Sequence, residues 1–432
     1  MTQRLDSSDQ DFVAQFAALV TQKRGAAPDV ARVVADIVAD VVARGDKALC
    51  HYTEKLDGLA VSPAGLKISR DEIEAAYQSV DASARADLEL AASRIEAYHK
   101  RQLPKDERYT DEEGIELGGR WTPIEAVGIY VPGGKASYPS SVLMNAVPAR
   151  VAGVKRIAMC VPTPKGEINP LVLAAAKIAG VDEIYRLGGA QAVAALAYGT
   201  DTIPPVDKIV GPGNAYVAEA KRQVFGHVGI DMIAGPSEIL VVADAKNDPQ
   251  WTAIDLLSQA EHDEIAQSIL ITDDRGFANA VCEGVEDHLA TLPSAPIARK
   301  SWEGFGAVVI VSNLEGEAPA LIDQLAPEHL MIAAENPDGI FENVHHAGAV
   351  FLGRNTPEAI GDYVAGSNHV LPTGRSARFS SGLTIFEFIK RTSIVRVGEG
   401  GLAAIGPAAE RLAEAEGLPA HARSIRIRLG RD

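Results

Sequence analysis

Apolar residues recur at intervals of three and four along much of the first hundred residues. In the run from Val30 to Val42 this spacing gives one apolar face, as a buried helix requires. The stretch from Arg85 to Lys100, rich in Ala, Leu and Glu, predicts a second helix. Residues from about 10 to 105 therefore predict a mainly helical region, and the charged, irregular stretch 104–120 predicts a boundary after it.

The middle of the chain changes to short apolar strands that alternate with helices and glycine-rich turns. The predicted strands are Ile124 to Val131, Arg156 to Val161, Glu183 to Leu187 and Lys208 to Val210. The predicted helices between and after them are 169–179, Gln191 to Tyr198 and Ala215 to Val224. Strands that alternate with helices in this way predict a parallel sheet with helical crossovers.

A second series of the same kind begins at Glu238 to Ala243. A helix is predicted from about 249 to 263, with Asp248 as its N-cap and Pro249 at its first position. Strands are predicted again near 267–272, 307–311, 330–333 and 348–352. Two consecutive series of similar size predict an α/β fold with two Rossmann-like parallel-sheet domains that face a cleft.

The predicted organisation has four parts. Residues 1–119 form a mainly helical N-terminal region, 120–236 a first Rossmann-like domain, 237–378 a second one, and 379–432 a C-terminal tail segment. In the tail, Gly400 to Gly417 predicts a helix. Ser424 to Leu429 alternates apolar and charged residues at period two, which predicts an amphipathic strand. Such a strand needs a sheet edge, for which another subunit is a candidate.

Composition narrows the class of protein. The chain has 432 residues with 41 basic and 58 acidic side chains, a net charge of −17, which argues against a general binder of nucleic-acid backbones. No apolar run reaches the roughly 18 residues that a membrane helix needs. The three cysteines lie far apart and the polar start is unlike a secretory signal, so a reduced, cytoplasmic location is expected.

Glycine-rich turns at strand ends are the candidates for nucleotide binding. No GxGxxG fingerprint with a following acidic residue is present. Turns nevertheless follow Tyr130, precede Gln191 and precede Asn214, each where free backbone amides at a helix start favour an anion. The Tyr130 turn includes Gly134. A dinucleotide site and simple tight-turn geometry both remain open from these turns alone.

Imidazole and oxygen donors are the candidates for metal binding. Gln259 and His262 lie three residues apart on the predicted helix 249–263 and would share one face, but an exposed polar helix end has the same pattern. Asp362 and His369 lie in a predicted loop, and His421 lies between the C-terminal elements. Donors for one divalent metal come from four of these residues, Gln259, His262, Asp362 and His421, with zinc favoured by the imidazoles. Spacing alone does not bring them together.

Glu328 and His329 place a carboxylate beside an imidazole just before a strand. A histidine with a pKa near 6.5 suits proton transfer at neutral pH, whereas a surface ion pair is the plainer alternative. Cys160 lies inside an apolar strand and Cys282 inside a predicted helix. Neither cysteine is assigned a role in catalysis.

Eight ordered motifs resemble those of histidinol dehydrogenases from about residue 30 to the end. They are Tyr130-Val-Pro-Gly-Gly, Gly211-Pro-Gly-Asn, Ala234-Gly-Pro-Ser-Glu, Ser258-Gln-Ala-Glu-His, Ala326-Pro-Glu-His, Gly361-Asp-Tyr, Ser367-Asn-His-Val-Leu-Pro-Thr and Glu416-Gly-Leu-Pro-Ala-His. The resemblance implies the last two steps of histidine biosynthesis, in which L-histidinol is oxidised through L-histidinaldehyde to L-histidine with two NAD.

The resemblance also implies residue roles. The implied zinc ligands are Gln259, His262, Asp362 and His421, and the implied acid–base pair is Glu328 and His329. The implied NAD contacts are Tyr130, Gln191 and Asn214. The implied substrate contacts are Ser237, Gln259, His262, His329, Asp362, His369, Glu416 and His421. A homodimer is implied, with the C-terminal segment reaching the partner's site.

Two other functions stay open beside this resemblance. A paralogous zinc and NAD dehydrogenase could oxidise another small amino or sulfonated alcohol. A metal-dependent hydrolase, or a non-catalytic metal-binding module, could use the same donors.

Overall fold

The computed structural model describes residues 2–22, 29–133 and 138–431, and Gly134 of the first glycine turn lies outside them. The chain divides into two compact units. The first holds the residues up to Arg101 and Glu125–Phe388, and the second holds Gln102–Ile124 and the residues from Ile389 onward. No helix of the described residues has the length and apolar character that crossing a membrane requires.

The N-terminal part is helical, as its apolar periodicity predicts. It also contains one short strand that the hydrophobic pattern does not predict. These elements are β1 (Gln3–Asp6), α1 (Phe12–Thr21), α2 (Val30–Arg44), α3 (Asp46–Asp57), α4 (Pro63–Leu66), α5 (Arg70–Ser79) and α6 (Ala82–Lys100). In α2 the buried residues are Val34, Ile37 and Val41, at the spacing of three and four that marks one face. They pack into the core of the first parallel sheet.

Two antiparallel strands of the second unit come next in the chain, β2 (Glu107–Thr110) and β3 (Glu116–Pro123). The chain then enters the first parallel sheet. Its elements are β4 (Ala126–Tyr130), α7 (Pro139–Ala152), β5 (Arg156–Val161), α8 (Pro170–Ala179), β6 (Glu183–Arg186), α9 (Gly189–Tyr198), β7 (Lys208–Val210), α10 (Ala215–Val224) and β8 (Gly229–Ile230). The strand order is β6-β5-β4-β7-β8, all parallel.

The second parallel sheet repeats this topology. Its elements are β9 (Glu238–Ala243), α11 (Pro249–Ala260), β10 (Gln267–Thr272), α12 (Arg275–Leu289), α13 (Ala295–Phe305), β11 (Ala307–Ile310), α14 (Leu314–Leu325), β12 (His329–Ala333), α15 (Pro337–Phe341), β13 (Ala349–Leu352) and α16 (Glu358–Tyr363). The order is β1-β11-β10-β9-β12-β13, with β1 added beside β11. The central strand β9 is buried at all six positions, because helices cover both faces.

Both sheets thus run third-second-first-fourth-fifth in their own strand sequence, the order of a Rossmann half. The predicted α/β class with two Rossmann-like sheets is confirmed. Both sheets lie in the first unit, and the predicted domain boundaries stay predictions.

The second unit contains β2, β3 and three C-terminal elements, β14 (Ile389–Arg396), α17 (Glu399–Ala415) and α18 (Pro419–Arg428). The antiparallel sheet has the order β14-β3-β2. The helix predicted at Gly400 to Gly417 is confirmed by α17.

The prediction of a strand at Ser424 to Leu429 is wrong. These residues form the last part of helix α18 and its C-cap. Ile425 and Leu429 are four residues apart, so in a helix they share one face, and both lie against Gly406 of α17. Arg426 Nε donates to Glu410 Oε1 of α17 at 2.7 Å. Packing of this helical hairpin therefore prevails over an alternation that also suits a strand.

Candidate active site

A group of buried polar side chains lies at the amino ends of two neighbouring strands of the second sheet. Glu238 begins β9 and His329 begins β12. The two strands pair in parallel, with His329 opposite Ile239. Glu328, directly before β12, is buried as well. The sheet itself therefore places the predicted acid–base pair beside the start of the central strand.

The hydrogen bonds of His329 define which ring nitrogen is available. Nδ1 lies 3.0 Å from the carbonyl oxygen of Glu238, which can only accept, so Nδ1 carries the proton of a neutral ring. Nε2 has no hydrogen-bond partner among the described residues. It lies 3.6 Å from Glu358 Oε1 and 3.7 Å from Asp362 Oδ1. Nε2 thus faces two carboxylates, whose charges favour the protonated ring.

Helix α16 presents those two carboxylates. Glu358 and Asp362 are four residues apart, so they lie on one face of the helix. Ser258 Oγ donates to Glu358 Oε2 at 3.2 Å, whereas Glu358 Oε1 is buried with no partner among the described residues. Gly361 lets the helix approach, because a Cβ there would lie 2.4 Å from the ring of Phe351.

Helix α11 brings Gln259 to the same place. Gln259 is buried, its Nε2 lies 3.2 Å from His329 Nδ1, and its Oε1 has no hydrogen-bond partner among the described residues. The helix predicted to reach residue 263 ends at Ala260, so His262 lies in the turn after it. Its N–H donates to the Gln259 carbonyl at 3.2 Å. Burial lowers the pKa of the His262 ring. The charge of Asp362 opposes this shift, and the charge of His329 adds to it.

The loop with His369 connects this site to a helix of the first sheet. His369 Nδ1 lies 3.1 Å from the carbonyl oxygen of Asp362, and its Nε2 lies 3.4 Å from Ser141 Oγ on α7. Asn368 Nδ2 donates to the Met144 carbonyl, also on α7, at 2.6 Å. Residues that are more than two hundred positions apart therefore meet at this site.

Burial and neighbouring charges shift the pKa values of the acid–base groups strongly. Burial raises the pKa of Glu328 to about 8, although His329 opposes this shift. Burial alone would lower the pKa of His329, but the charges of Glu328 and neighbouring carboxylates raise it to about 10. Burial raises the pKa of Glu358 to about 7. Three acidic groups thus surround one imidazole away from water.

This surplus of acidic groups fits a cation. Among the described residues, His329, Glu358 and Asp362 form a group whose ligand atoms lie within 4.8 Å of one another. Of the predicted ligands, Asp362 belongs to this group, and Gln259 and His262 lie beside it. The unpartnered His329 Nε2 and Glu358 Oε1 are the buried atoms that a metal would satisfy. Nitrogen and oxygen donors without thiolates suit zinc.

Glu358, Ser258 and Ser141 also contact this site, although no sequence pattern singled them out. For Glu358 a signal existed, since a carboxylate four residues before Asp362 shares its helical face. For Ser258 and Ser141 no such local signal exists, because each acts through a contact made by the folded chain.

The predicted dinucleotide residues lie at the carboxyl ends of the first sheet. Tyr130 ends β4, and its hydroxyl accepts the Gly189 N–H at 3.1 Å where α9 begins. Burial raises the pKa of Tyr130 to about 12, so the hydroxyl stays neutral. Gln191 is buried with Oε1 unpartnered among the described residues, and Asn214 caps α10. The carboxyl ends of strands are where α/β sheets bind ligands.

Gly211 is required for the turn at this edge. Its φ is +107°, and a Cβ there would lie 2.2 Å from the Tyr130 carbonyl oxygen. Its N–H donates to Asp231 Oδ2 at 2.8 Å, and the buried Lys221 Nζ donates to its carbonyl at 3.0 Å. The turn is therefore held open between β4 and β7, the two strands at which the direction of the crossovers reverses.

The remaining predicted residues fall in two places. Ser237 directly precedes Glu238, and its carbonyl accepts the Gln267 N–H at 2.9 Å. Glu416 and His421 belong to the second unit, at the end of α17 and within α18. That they join the site of the first unit stays a prediction.

Comparisons with known proteins identify the family. The family model described as histidinol dehydrogenase matches residues 20–429. The chain belongs to the histidinol dehydrogenase family. The histidinol dehydrogenase of Rhodospirillum rubrum is 62% identical over 431 residues, which cover 100% of this chain and 99% of that protein. The histidinol dehydrogenase of Ruegeria pomeroyi is 61% identical over 431 residues, with the same coverage.

A solved structure of the histidinol dehydrogenase family has the same fold. The crystal structure of histidinol dehydrogenase from Elizabethkingia anophelis matches with a TM-score of 0.94 at 38% identity, covering 99% of this chain and 98% of that one. Membership of the histidinol dehydrogenase family makes the chain an oxidoreductase. The hydrolase and the non-catalytic metal-binding module are therefore set aside.

Proposed function

We propose that this chain oxidises L-histidinol through L-histidinaldehyde to L-histidine, with zinc and NAD, as the last two steps of histidine biosynthesis. The observation that carries the proposal is the buried His329, whose Nε2 is unpartnered among the described residues and faces Asp362. The identity of about 60% to histidinol dehydrogenases over the whole chain supports the substrate.

We propose Gln259, His262, Asp362 and His421 as the zinc ligands. Zinc bound there would hold the substrate's nitrogen atoms and fix its alcohol carbon, as a metal that orients a substrate does. Ser237, His329, His369 and Glu416 complete the proposed substrate contacts. The net charge of −17 suits a substrate that carries an amine.

His329 is the proposed general base of the first oxidation. Because Nδ1 is engaged by the Glu238 carbonyl, Nε2 is the atom that takes the hydroxyl proton. A bound cation would offset the neighbouring carboxylates that raise the pKa of His329, and so would favour the neutral ring that a base requires. A bound NAD would supply the acceptor for the hydride of the alcohol carbon. Tyr130, Gln191 and Asn214 are its proposed contacts, at the glycine turns of the first sheet.

Glu328 is proposed to act in the second oxidation. Its carboxyl group lies 3.7 Å from His329 Nδ1 and is buried, and its raised pKa makes it a stronger base than an exposed carboxylate. Together the two side chains would activate a water molecule for addition to the aldehyde. One site that keeps the reactive aldehyde bound can then complete both steps without a cysteine.

A homodimer is proposed, with the C-terminal segment contributing to the partner's site. Large apolar side chains of the second unit are exposed in the single chain, including Val395 at 64%, Leu412 at 64% and Ile427 at 51%. Exposed apolar groups of this kind favour association. The cytoplasmic location stays a prediction.

The decisive experiment follows NADH absorbance with L-histidinol as substrate, before and after treatment with a chelator. Zinc-loaded protein should form NADH, the chelator should abolish it, and added zinc should restore it. Absence of NADH from zinc-loaded protein, or NADH only from another small amino or sulfonated alcohol, would overturn the proposed substrate. Light scattering of the same sample measures whether the protein is dimeric.

The division of roles has its own test. Glu328→Gln should slow oxidation of L-histidinaldehyde much more than oxidation of L-histidinol, since only the former needs activated water. Single-turnover measurements of the two half-reactions separate the effects. Equal losses in both half-reactions would contradict this assignment.

A further inference from the structure

Glu238 makes most of its polar contacts with the acid–base pair, although its sequence motif predicts no role for it. Its N–H donates to Glu328 Oε2 at 2.9 Å, and its carboxylate Oε2 accepts the Glu328 N–H at 3.3 Å. Its carbonyl oxygen lies 3.0 Å from His329 Nδ1. Glu238 and Glu328 are both buried. The two acidic residues therefore exchange backbone-to-carboxylate hydrogen bonds, and the charge of Glu238 adds to the burial that raises the pKa of Glu328.

The segment that Glu238 holds is strained. Ala326, two residues before Glu328, has φ of +45°, a conformation that residues with a Cβ rarely adopt. Such strain persists only where surrounding contacts fix the backbone, and it concentrates at functional sites. The Glu238 carboxylate supplies one such contact at the Glu328 N–H, next to the strained turn.

The second oxygen of the carboxylate ties in a third segment. Oε1 accepts the Gly374 N–H at 3.1 Å, and the neighbouring Thr373 Oγ1 accepts the Gly235 N–H at 2.5 Å. Three segments therefore meet at the Glu238 side chain. Burial and the charge of Arg378 lower the pKa of the neighbouring Arg375, and the charge of Glu238 opposes this shift. The carboxylate thus has a cationic neighbour despite its burial.

We propose that Glu238 is a positioning residue, whose carboxylate fixes the Glu328 backbone and thereby aims the Glu328 carboxyl group for catalysis. The inference rests on the proposed function of Glu328. The Glu238 carbonyl also holds Nδ1 of His329, but side-chain substitutions leave that carbonyl in place. Substitution of Glu238 therefore tests its action on Glu328 separately from its action on His329.

Glu238→Gln is the test variant. It keeps the shape of the side chain but replaces one acceptor oxygen by an amide NH2 group, so one of the two backbone N–H groups loses its acceptor. We expect kcat for L-histidinaldehyde oxidation to fall about 10- to 100-fold, with KM values within about threefold, because misplaced catalytic groups cost rate more than binding. The alcohol half-reaction should lose less. Glu238→Asp, which keeps the charge but shortens the side chain, should show the same pattern and serves if the Gln variant does not fold.

A double-mutant cycle separates positioning from general damage. In a Glu328→Gln background the further substitution Glu238→Gln should change kcat by less than about threefold, since residues that act as one unit are not additive. Thr373→Val is the matched structural control, because it removes a hydrogen bond at the same junction without touching Glu328. Glu303→Gln on the exposed face of α13 controls for loss of a charge.

Three results would overturn the proposal. They are a wild-type kcat in Glu238→Gln, an equal loss of kcat from Glu238→Gln in both backgrounds, and an equal loss of kcat in Thr373→Val. Zinc content and melting temperature, measured on each variant, identify losses that come from unfolding or metal loss. If wild-type protein forms no NADH from L-histidinol, the proposed function has failed rather than the role of Glu238.

Discussion

The two parallel sheets share one strand order but place their polar groups at opposite ends. In the first sheet the glycine turns, Tyr130 and Gln191 gather at the carboxyl ends of the strands. In the second sheet Glu238, Glu328 and His329 lie at the amino ends. Ligands of α/β folds usually bind at carboxyl ends. The same topology can therefore support a site at either end, and side chains decide which end is used.

The carboxyl ends of the second sheet are closed by side chains. Arg354 Nη2, two residues after β13, donates to Asp244 Oδ2, directly after β9, at 2.6 Å. Asn247 Nδ2 donates to the carbonyl of Ala333, the last residue of β12, at 2.5 Å. In the first sheet Gly211 follows β7 and adds no side chain, and the buried Lys221 and Asp231 hold its backbone. Side chains thus join the strand ends of the second sheet, whereas a glycine turn lies between β4 and β7 of the first.

The largest expected effect tests the amino end of the second sheet. His329→Asn should lower kcat for L-histidinol oxidation by about 10³-fold or more, because it removes the proposed general base. His345→Asn is the matched control, since His345 is exposed and contacts Asp323. Steady-state rates and a melting curve of each variant give the result. Near-normal rates in His329→Asn would move the chemistry away from this end.

The second effect tests the open carboxyl end of the first sheet. Gly211→Ala would place a Cβ 2.2 Å from the Tyr130 carbonyl at a φ of +107°, so we expect KM for NAD to rise about tenfold and stability to fall by about 2–4 kcal/mol. Gly226→Ala has a similar φ of +101° but no atom within 4 Å of the added Cβ. It should lose stability without a change in KM.

If Gly226→Ala raises KM for NAD as much as Gly211→Ala does, backbone strain rather than the site explains the effect. Binding of NAD measured by fluorescence titration checks the same point without turnover.

The third effect is the pH dependence of stability, which we expect to come from a buried carboxyl group beside the second sheet. Burial raises the pKa of Asp255 on α11 from its ordinary 3.8 to about 6. The ionised carboxylate therefore costs stability above about pH 6, and this cost disappears as the pH falls below about 4. Asp255→Asn should raise the free energy of unfolding by on the order of 1–2 kcal/mol at pH 8 and leave it unchanged near pH 4.

Denaturant melts of Asp255→Asn and wild type at both pH values measure this difference. A stabilisation of the same size at pH 4 would show that the buried charge is not its cause. In the first sheet, burial raises the pKa values of Tyr130 and Cys160, so both groups stay neutral over this range.

The smallest effect tests the closed carboxyl end of the second sheet. Arg354→Met should lower stability by about 1 kcal/mol, since it breaks a half-buried ion pair with Asp244. kcat and both KM values should stay within about twofold, because no reacting group lies there. A large rise in KM for NAD would instead place the dinucleotide at this end and reverse the comparison between the sheets.

Much of the fold could be predicted because its signals are local. The strands and helices of both sheets follow from short apolar runs separated by glycine turns and caps, such as Asp248 before Pro249. The pattern failed where two periods fit the same residues. Ile425, Ile427 and Leu429 alternate at period two, yet packing against Gly406 of α17 selects the helix. Strand β1 was missed because its pairing with β11, three hundred residues away, stabilises it.

For the candidate site, the sequence by itself determined the chemical types of the donors and, through its motifs, the family. Only the tertiary structure decided that His329 faces Glu358 and Asp362, that Ser141 reaches His369, and that Glu238 holds the acid–base pair. The physical reason is that periodicity and capping are properties of neighbouring residues. Convergence of distant side chains depends on strand order and on the packing of helices against the sheets, which no local pattern records.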